Sequence, residues 1–419
     1  MNKLVVGPLK KSAISTVIVI DALDECKDES PASAILSVLG QFVSQIPKVK
    51  FFLTGRPESR IQEGFRLPLL VKATDVFVLH SVEPSFVNND IRLFLKQSFL
   101  ELTRRRRGLD GWPTKEQLDR LCERAAGLFV YVVATVKFVD CGPGNPKKQL
   151  DRLLQSPGSS AREGKTKFRT DMTLDLLYMS ILQEAFGGND PEDDPMVRSV
   201  LGAVILAVNP VSPSAIATLL GFDIEDVSPL LVTIGSLLLL QDGIDSPVRP
   251  FHKSFPDFVV DPTRCTNRRF CVSPPSHHPE LLIGCLRLMD QRLENNMYKL
   301  PDAITNPEAN ELHERTKQYL DPALQYACRS WHKHFVDEHT VHIPTITSAL
   351  HCFLEKKFLF WLEVLSVLGA TREAVDALEV AAKWLKVCQV STLDVPSRFT
   401  ETRSRHHLPL TLSMTASAL

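Results

Sequence analysis

Asp21, Asp24 and Glu25 carry the clearest chemical specification in this 419-residue chain. They close the stretch VIVIDALDEC, 17–26, in which four β-branched apolar residues run directly into the first acid. A strand that delivers a carboxylate from its carboxyl end gives a fixed hard ligand for a cation that bridges phosphates. A second acid close by can accept a proton from an attacking water. The same residues also describe a strand followed by a helix with an acidic first turn, which the helix dipole favours without any ligand. KFFLT, 50–54, ends a second apolar run and is followed by Gly55, Arg56 and Pro57. A guanidinium at a strand end suits an oxyanion, and the bland alternative is a surface arginine in a Gly-Pro turn. His252, in PFHKSFPDF, also stands at the end of an apolar run, where a lone imidazole commonly bonds to its own neighbours.

A phosphate site needs backbone N–H groups as well, aimed by a strand and a helix N-terminus. No GxxxxGK[ST] precedes Asp21. The nearest approach, Gly7 to Ser12, lacks the second glycine and places Pro8 in the loop. GSSAREGKT, 158–166, ends in Gly-Lys-Thr, but it has one residue too many between its glycines and follows no strand. It reads as a solvated linker. Cys265, Cys271, His277 and His278 form C-x5-C-x5-HH, four groups that zinc accepts. The spacing is wider than in common zinc knuckles, and prolines at 274, 275 and 279 interrupt it; packing and surface roles are the alternative. Arg104 to Arg107 end a helical pattern, where cations complement the dipole. KFLFWLEVLSVLG, 357–369, is apolar nearly all round, as a core helix or a docking surface would be.

The elements that position these residues follow from periodicity. Residues 1–82 alternate strand and helix: a strand at 17–21 read as buried on both faces, a helix over 32–45, and strands at 50–54 and 75–79. Short links between them are parallel α/β grammar. From 84 the period is helical, with SFVNNDIRLFLKQSFLEL, KEQLDRLCERAAG and GLFVYVVATVKFV in succession. GPGNPKK and SPGSSAREGKTKFRT are breaker-rich and read as exposed linkers, and GGNDPEDDP as a loop. Over 196–260, three helical patterns precede an apolar strand, a turn at Asp242-Gly243 and a return strand PVRPF, the order of a winged helix. HPELLIGCLRLMDQRL, DPALQYACRSWHKHF, KFLFWLEVLSVLG and REAVDALEVAAKWLK continue as helices. With 44% hydrophobic residues the chain can bury more than one core, and a net charge of −1 carries no global nucleic-acid or anionic-membrane signature. Nine scattered cysteines, no secretory pattern and no membrane-length apolar run read as a reduced, cytoplasmic protein.

VIVIDALDEC, KFFLTGRPESRI, AAGLFVYVVATVKFV and VRPFHKSFPDFVVDP, in that order, resemble the fungal NACHT-type nucleotide-binding proteins. These belong to the signal-transducing P-loop ATPases, with NLR-like immune receptors among them. The resemblance covers roughly 1–390 and implies an α/β fold followed by mostly α. The parts it implies are a partial P-loop NTPase parallel sheet with Walker B and sensor strands over 1–82, a helical domain over 83–156 and a linker over 157–170. A winged-helix domain over 171–272, a C-terminal helical region over 273–390 and a disordered tail over 391–419 complete the expectation. It further implies that Asp21 holds Mg2+ through water, that Asp24 and Glu25 polarise the attacking water, and that Arg56 faces the terminal phosphate. His252 would reach the β-phosphate of bound ADP and lock a closed state. NKLVVGPLKK resembles the helix that leads into the Walker B strand, so the chain is expected to start inside a NACHT domain, truncated before the Walker A loop. Relatives often carry WD or ankyrin repeats after the helical region, and no such repeat appears here.

Three functions compete. The first is a fragment of an ATP/ADP-operated signalling switch, with protein partners and self-association as its output and little nucleotide binding or hydrolysis by this chain alone. The second is a degenerate NACHT remnant that acts as a non-catalytic protein-interaction module. The third, a winged-helix nucleic-acid binder, is disfavoured because its recognition-helix candidate, DVSPLLVTIGSLL, has no Lys or Arg.

Overall fold

The computed structural model describes residues 7–11, 15–26, 29–46, 48–56, 58–79, 82–141, 144–155, 166–187, 195–241, 243, 245–299, 309–336 and 342–388. The GSSAREGKT loop up to Gly164 and Lys165, the tail 391–419, most of GGNDPEDDP and Asp242 lie outside them. The chain divides into two compact units, Met1–Glu83 and Pro84–Leu419.

In the first unit, helix α1 (Gly7–Lys11) precedes strand β1 (Thr16–Ile20), and a 3-10 turn at Leu23–Glu25 leads to helix α2 (Glu29–Phe42). Strand β2 (Val49–Leu53) is followed by helices α3 (Ser59–Phe65) and α4 (Pro68–Val71). β1 and β2 pair in parallel, in register from Thr16↔Val49 to Ile20↔Leu53. Parallel pairing demands a crossover, and α2 supplies it. Ala32, Leu36 and Leu39 repeat at helical spacing on α2 and pack with Leu23, Ile61 and Leu70, against which Ile20, Phe51 and Leu53 of the sheet rest. Gly64 lets α3 approach closely, because a Cβ there would collide with the side chain of Leu36.

Two sequence expectations are corrected here. The strand at 17–21 is buried on one face only: Val17 and Val19 are 62% and 64% exposed, and Phe52 beside them 60%. A β-branched run cannot say how many layers will cover it, and among the described residues the helices pack on the opposite face. The expected strand at 75–79 is not one. Val76 and Phe77 are about three-quarters exposed, and the sheet of this unit holds β1 and β2 alone among the described residues. Strand propensity needs a neighbouring strand to supply ladder hydrogen bonds, and DVFVL has no such neighbour among the described residues.

The second unit is helical: α5 (Pro84–Arg105), α6 (Lys115–Ala125), α7 (Phe129–Cys141), α8 (Pro146–Gln155) and α9 (Thr166–Phe186). Thr114 and Gln117 close a reciprocal capping box that starts α6, and Leu118, Leu121, Cys122 and Ala125 form its buried stripe. The linker expected at GPGNPKK is partly overturned. Pro146 opens α8, where a missing N–H costs nothing, and Pro146, Gln149 and Leu150 are buried. Next come α10 (Pro195–Leu206), α11 (Pro213–Leu220) and α12 (Ile224–Thr233), then a short antiparallel pair of β3 (Leu238–Leu239) with β4 (Arg249–Pro250). Helices α13 (Ser254–Val259), α14 (Pro274–Arg292), α15 (Ala309–Tyr319), α16 (Pro322–Ser330), α17 (Ile343–Lys356), α18 (Phe358–Val367) and α19 (Thr371–Val387) complete the order. One continuous hydrophobic cluster runs from Ile91 to Leu385, so these helices share a core.

That core also buries imidazoles. In the 3-10 turn Trp331–His334, His332 and His334 are 2% and 0% exposed. The backbone N–H of Val208 donates to Tyr326 Oη, Tyr326 Oη lies 2.7 Å from His334 Nε2, and His334 Nδ1 lies 2.9 Å from His278 Nδ1. A neutral chain satisfies every link: the tyrosine donates to His334, and His334 donates to His278. Burial pushes His334 down to about 3, helped by the neighbouring His278 and His332. Burial also pushes His332 down to about 4, with Lys333 adding to it and Glu373 and Asp376 opposing it.

Candidate functional site

β1 and β2 end side by side, and the residues just beyond them are bonded to each other. The Thr54 hydroxyl is the hub: it accepts from the backbone N–H of Ala22 at 2.8 Å and donates to Asp21 Oδ1. Backbone bonds extend the pairing past the strands, from Thr54 N to Ile20 O at 3.0 Å and from Leu23 N to Thr54 O at 2.9 Å. Ala22 turns the chain with φ 51°, a left-handed conformation unusual for a residue with a Cβ, and the 3-10 turn of Leu23–Glu25 follows. That turn drives Asp24 inward and leaves Asp21 and Glu25 exposed.

Asp24 is 4% exposed and engages the second strand end twice. Its Oδ1 accepts from the backbone N–H of Arg56 at 3.1 Å, and its Oδ2 lies 3.6 Å from Arg56 Nε. The Arg56 side chain is 45% exposed, so its guanidinium is held at the surface. Arg60, on the first turn of α3, donates to the backbone carbonyl of Asp24 at 3.0 Å and pairs with Glu58 at 2.8 Å. Gly55 passes Asp24 closely, since a Cβ there would sit 3.5 Å from its Oδ1.

The structure thus brings Asp21, Asp24, Glu25 and Arg56 into one neighbourhood at the carboxyl ends of two parallel strands, the usual place for a ligand in an α/β sheet. Thr54 and Arg60 are members of that cluster whose roles the sequence did not reveal. A hydroxyl closing an apolar strand was the available signal for Thr54, but its partners depend on register. An exposed carboxylate bonded to a hydroxyl is a donor set that a hard divalent cation accepts, with water and phosphate oxygens supplying the remainder.

His252 belongs to the second unit, just after β4. Its Nδ1 receives the backbone N–H of Ser254 at 3.2 Å and lies 2.7 Å from Ser254 Oγ, which in turn lies 2.7 Å from the buried Tyr178 hydroxyl. A backbone N–H can only donate, so the neutral ring carries its proton on Nε2. The candidate zinc ligands do not converge. His277 Nδ1 turns to Ser273 O at 2.8 Å, His278 faces His334, and Cys265 Sγ points at the Asn267 carbonyl, 3.8 Å away. Among the described residues no group of three or more His, Cys, Asp or Glu is placed to hold a metal ion.

Comparison with known proteins adds two matches. A family model described as Nephrocystin 3, N-terminal, matches residues 1–56, the segment that carries Asp21 and both strand ends. Over 392 residues the chain is 22% identical to the vegetative incompatibility protein HET-E-1 of Podospora anserina. The alignment covers 87% of this chain and 26% of that protein, so the chain spans about a quarter of its relative's length. No solved structure matches.

Proposed function

The chain is a NACHT-type relative, and from that premise we propose that it is part of a nucleotide-dependent signalling switch whose acid-and-sensor half is the first unit. In this reading Asp21 would hold Mg2+ together with phosphate oxygens and water, and the cation would neutralise phosphate charge. Asp24 and Glu25 would polarise a nearby water, Asp24 also tying the sensor loop through Arg56, and Arg56 would present its guanidinium to the terminal phosphate. Residues 171–272 would act as a winged-helix domain, with His252 the residue that would bind the β-phosphate of ADP. The output is association with protein partners, including further copies of the chain, in the cytoplasm. No described helix is long and apolar enough to cross a membrane.

The observation that carries this reading is the double tie between strand ends, Thr54 to Asp21 and Asp24 to Arg56, which sets an acid and a guanidinium at one edge. No GxxxxGK[ST] loop stands before Asp21, and backbone amides with a lysine provide much of the grip on nucleotide in such sites. The proposal therefore includes weak nucleotide binding and negligible hydrolysis by these 419 residues alone. Calorimetric titration with MgATP is expected to show no saturation below about 1 mM. At higher nucleotide, NMR shifts should gather at Asp21, Glu25 and Arg56 and vanish in Asp21→Ala. Micromolar binding lost in Asp21→Ala would overturn the weak-binding part, and shifts gathered elsewhere would overturn the site.

A second reading, a non-catalytic interaction module, draws support from exposed apolar residues on α18 and α19, with Leu359 72% and Val375 57% exposed. Under that reading, self-association of the chain is identical with and without MgATP and in Asp21→Ala.

A further inference from the structure

The arginine run that closes α5, Arg104 to Arg107, is not one surface. Arg105 donates to Asp140 Oδ2 at 2.9 Å and Arg106 to the Asp140 carbonyl, so both are tied to the end of α7. Arg104 instead lines a cleft, together with Lys96, Phe99, Leu100 and Thr103. These five stand at spacings i, i+3, i+4, i+7 and i+8, which is one face of α5.

The opposite wall is the loop that carries the chain from α5 to α6. Gly108 and Gly111 turn it with φ 81° and 67°, values that a Cβ resists. Trp112 N–H donates to Leu109 O at 3.1 Å, and the Trp112 ring meets Phe99 edge to face, 5.2 Å between centroids. The capping box at Thr114 then fixes where α6 begins. The loop is thus held at both ends, and the cleft between it and α5 has a volume of about 460 Å³, within the range that takes a small molecule.

The lining has two characters. Phe99, Leu100, Leu109, Trp112 and Leu118 make it apolar and partly aromatic. Lys96 and Arg104 are exposed and stand about 12 Å apart along the helix axis. Neither is ion-paired to a described residue. Asp110, also exposed, is the one acid of the lining, so the cations outnumber it. Trp112 is 8% exposed, and its indole N–H has no hydrogen-bond partner among the described residues. A buried unpaired donor favours any ligand that brings it an acceptor.

We propose that this cleft binds a small organic anion with a flat apolar body, an aromatic carboxylate in its simplest form. The ring system is buried between the α5 face and the Trp112 loop, and that burial drives binding. The carboxylate takes its counter-charge from Lys96 and Arg104. An uncharged analogue forgoes the second contribution, and an inorganic anion forgoes the first.

The test uses the full chain with 2-naphthoate as the probe, followed in amide and methyl NMR spectra. Saturating shifts are expected at the Trp112 indole, identified among the four tryptophans with Trp112→Phe, and at the methyls of Leu100, Leu109 and Leu118. Lys96→Gln and Arg104→Gln should each weaken binding about fivefold. Both side chains are exposed, so an unchanged thermal midpoint without probe shows that the fold is kept. The uncharged 2-naphthalenemethanol should bind about tenfold more weakly than the naphthoate. No saturation below about 10 mM, shifts gathered at other leucines and indoles, unchanged affinity in both cation variants, or equal binding of the uncharged analogue would each overturn the assignment.

Discussion

Acidification from pH 7 to pH 5 should loosen the helical unit through His332 and His334. Both imidazoles are buried and neutral, with folded values of about 4 and about 3, against about 6.5 in an unfolded chain. The depressed folded value means that the unfolded state takes up protons first. Stability is full above pH 6.5 and is lost as pH falls toward the folded values. Each imidazole then costs up to about 1.4 kcal/mol per pH unit, or about 2 kcal/mol across this window and about 4 kcal/mol for the pair. His278, also lowered by burial and by His277, adds in the same direction. Other charges do not hide the effect. Asp119 and Asp261 are held below the usual carboxylate range by Arg92 and by Thr263, so their contributions fade only as pH falls below about 4. Urea unfolding followed by tryptophan fluorescence reports the right region, because Trp331, Trp361 and Trp384 are buried in that core. His332→Leu is the decisive variant, since neither ring nitrogen of His332 has a hydrogen-bond partner among the described residues. It should remove about half of the pH-dependent loss and leave stability at pH 7 equal or higher. A wild-type loss under about 1 kcal/mol, or an undiminished loss in His332→Leu, would refute the reasoning.

Two further outcomes concern the first unit. Asp24→Ala leaves Arg56 N–H without its acceptor and should cost about 1–3 kcal/mol, with hydrogen exchange at the Arg56 amide accelerating while the Ile18 amide is less affected. Ala22→Gly relieves a left-handed residue with a Cβ and should raise stability by about 1 kcal/mol; a decrease in the thermal midpoint would show that the turn is not strained.

Regular elements were legible where local chemistry and long-range packing agree. Thr114 followed by Gln117 announced α6, and the β-branched run into Asp21 announced β1. DVFVL satisfied the local rule for a strand and failed because a strand is a relation between segments. α17 was overlooked although Ile346, Leu350 and Phe353 repeat at helical spacing and are all buried; its polar interruptions concealed the stripe. The candidate site divides along the same line. Asp21, Asp24, Glu25 and Arg56 were visible as residue types at strand ends. That Asp24 turns inward to Arg56 while Asp21 stays outside was not, because it depends on the left-handed Ala22 and on the register of β1 with β2.

That register has a kinetic consequence. Thr16 pairs with Val49, and the ties of Thr54 to Asp21 and Ala22 and of Arg56 to Asp24 join residues 32 or 33 positions apart. Loop closure over such a span is slow compared with forming a helix turn, and none of these ties can form locally. The acid cluster therefore assembles only when the α2 crossover has closed and the two strands have met in register. A chain slipped by one residue would keep its helices and lose Thr54 from Asp21, which makes this bond a marker of correct folding that a helix-content measurement would miss.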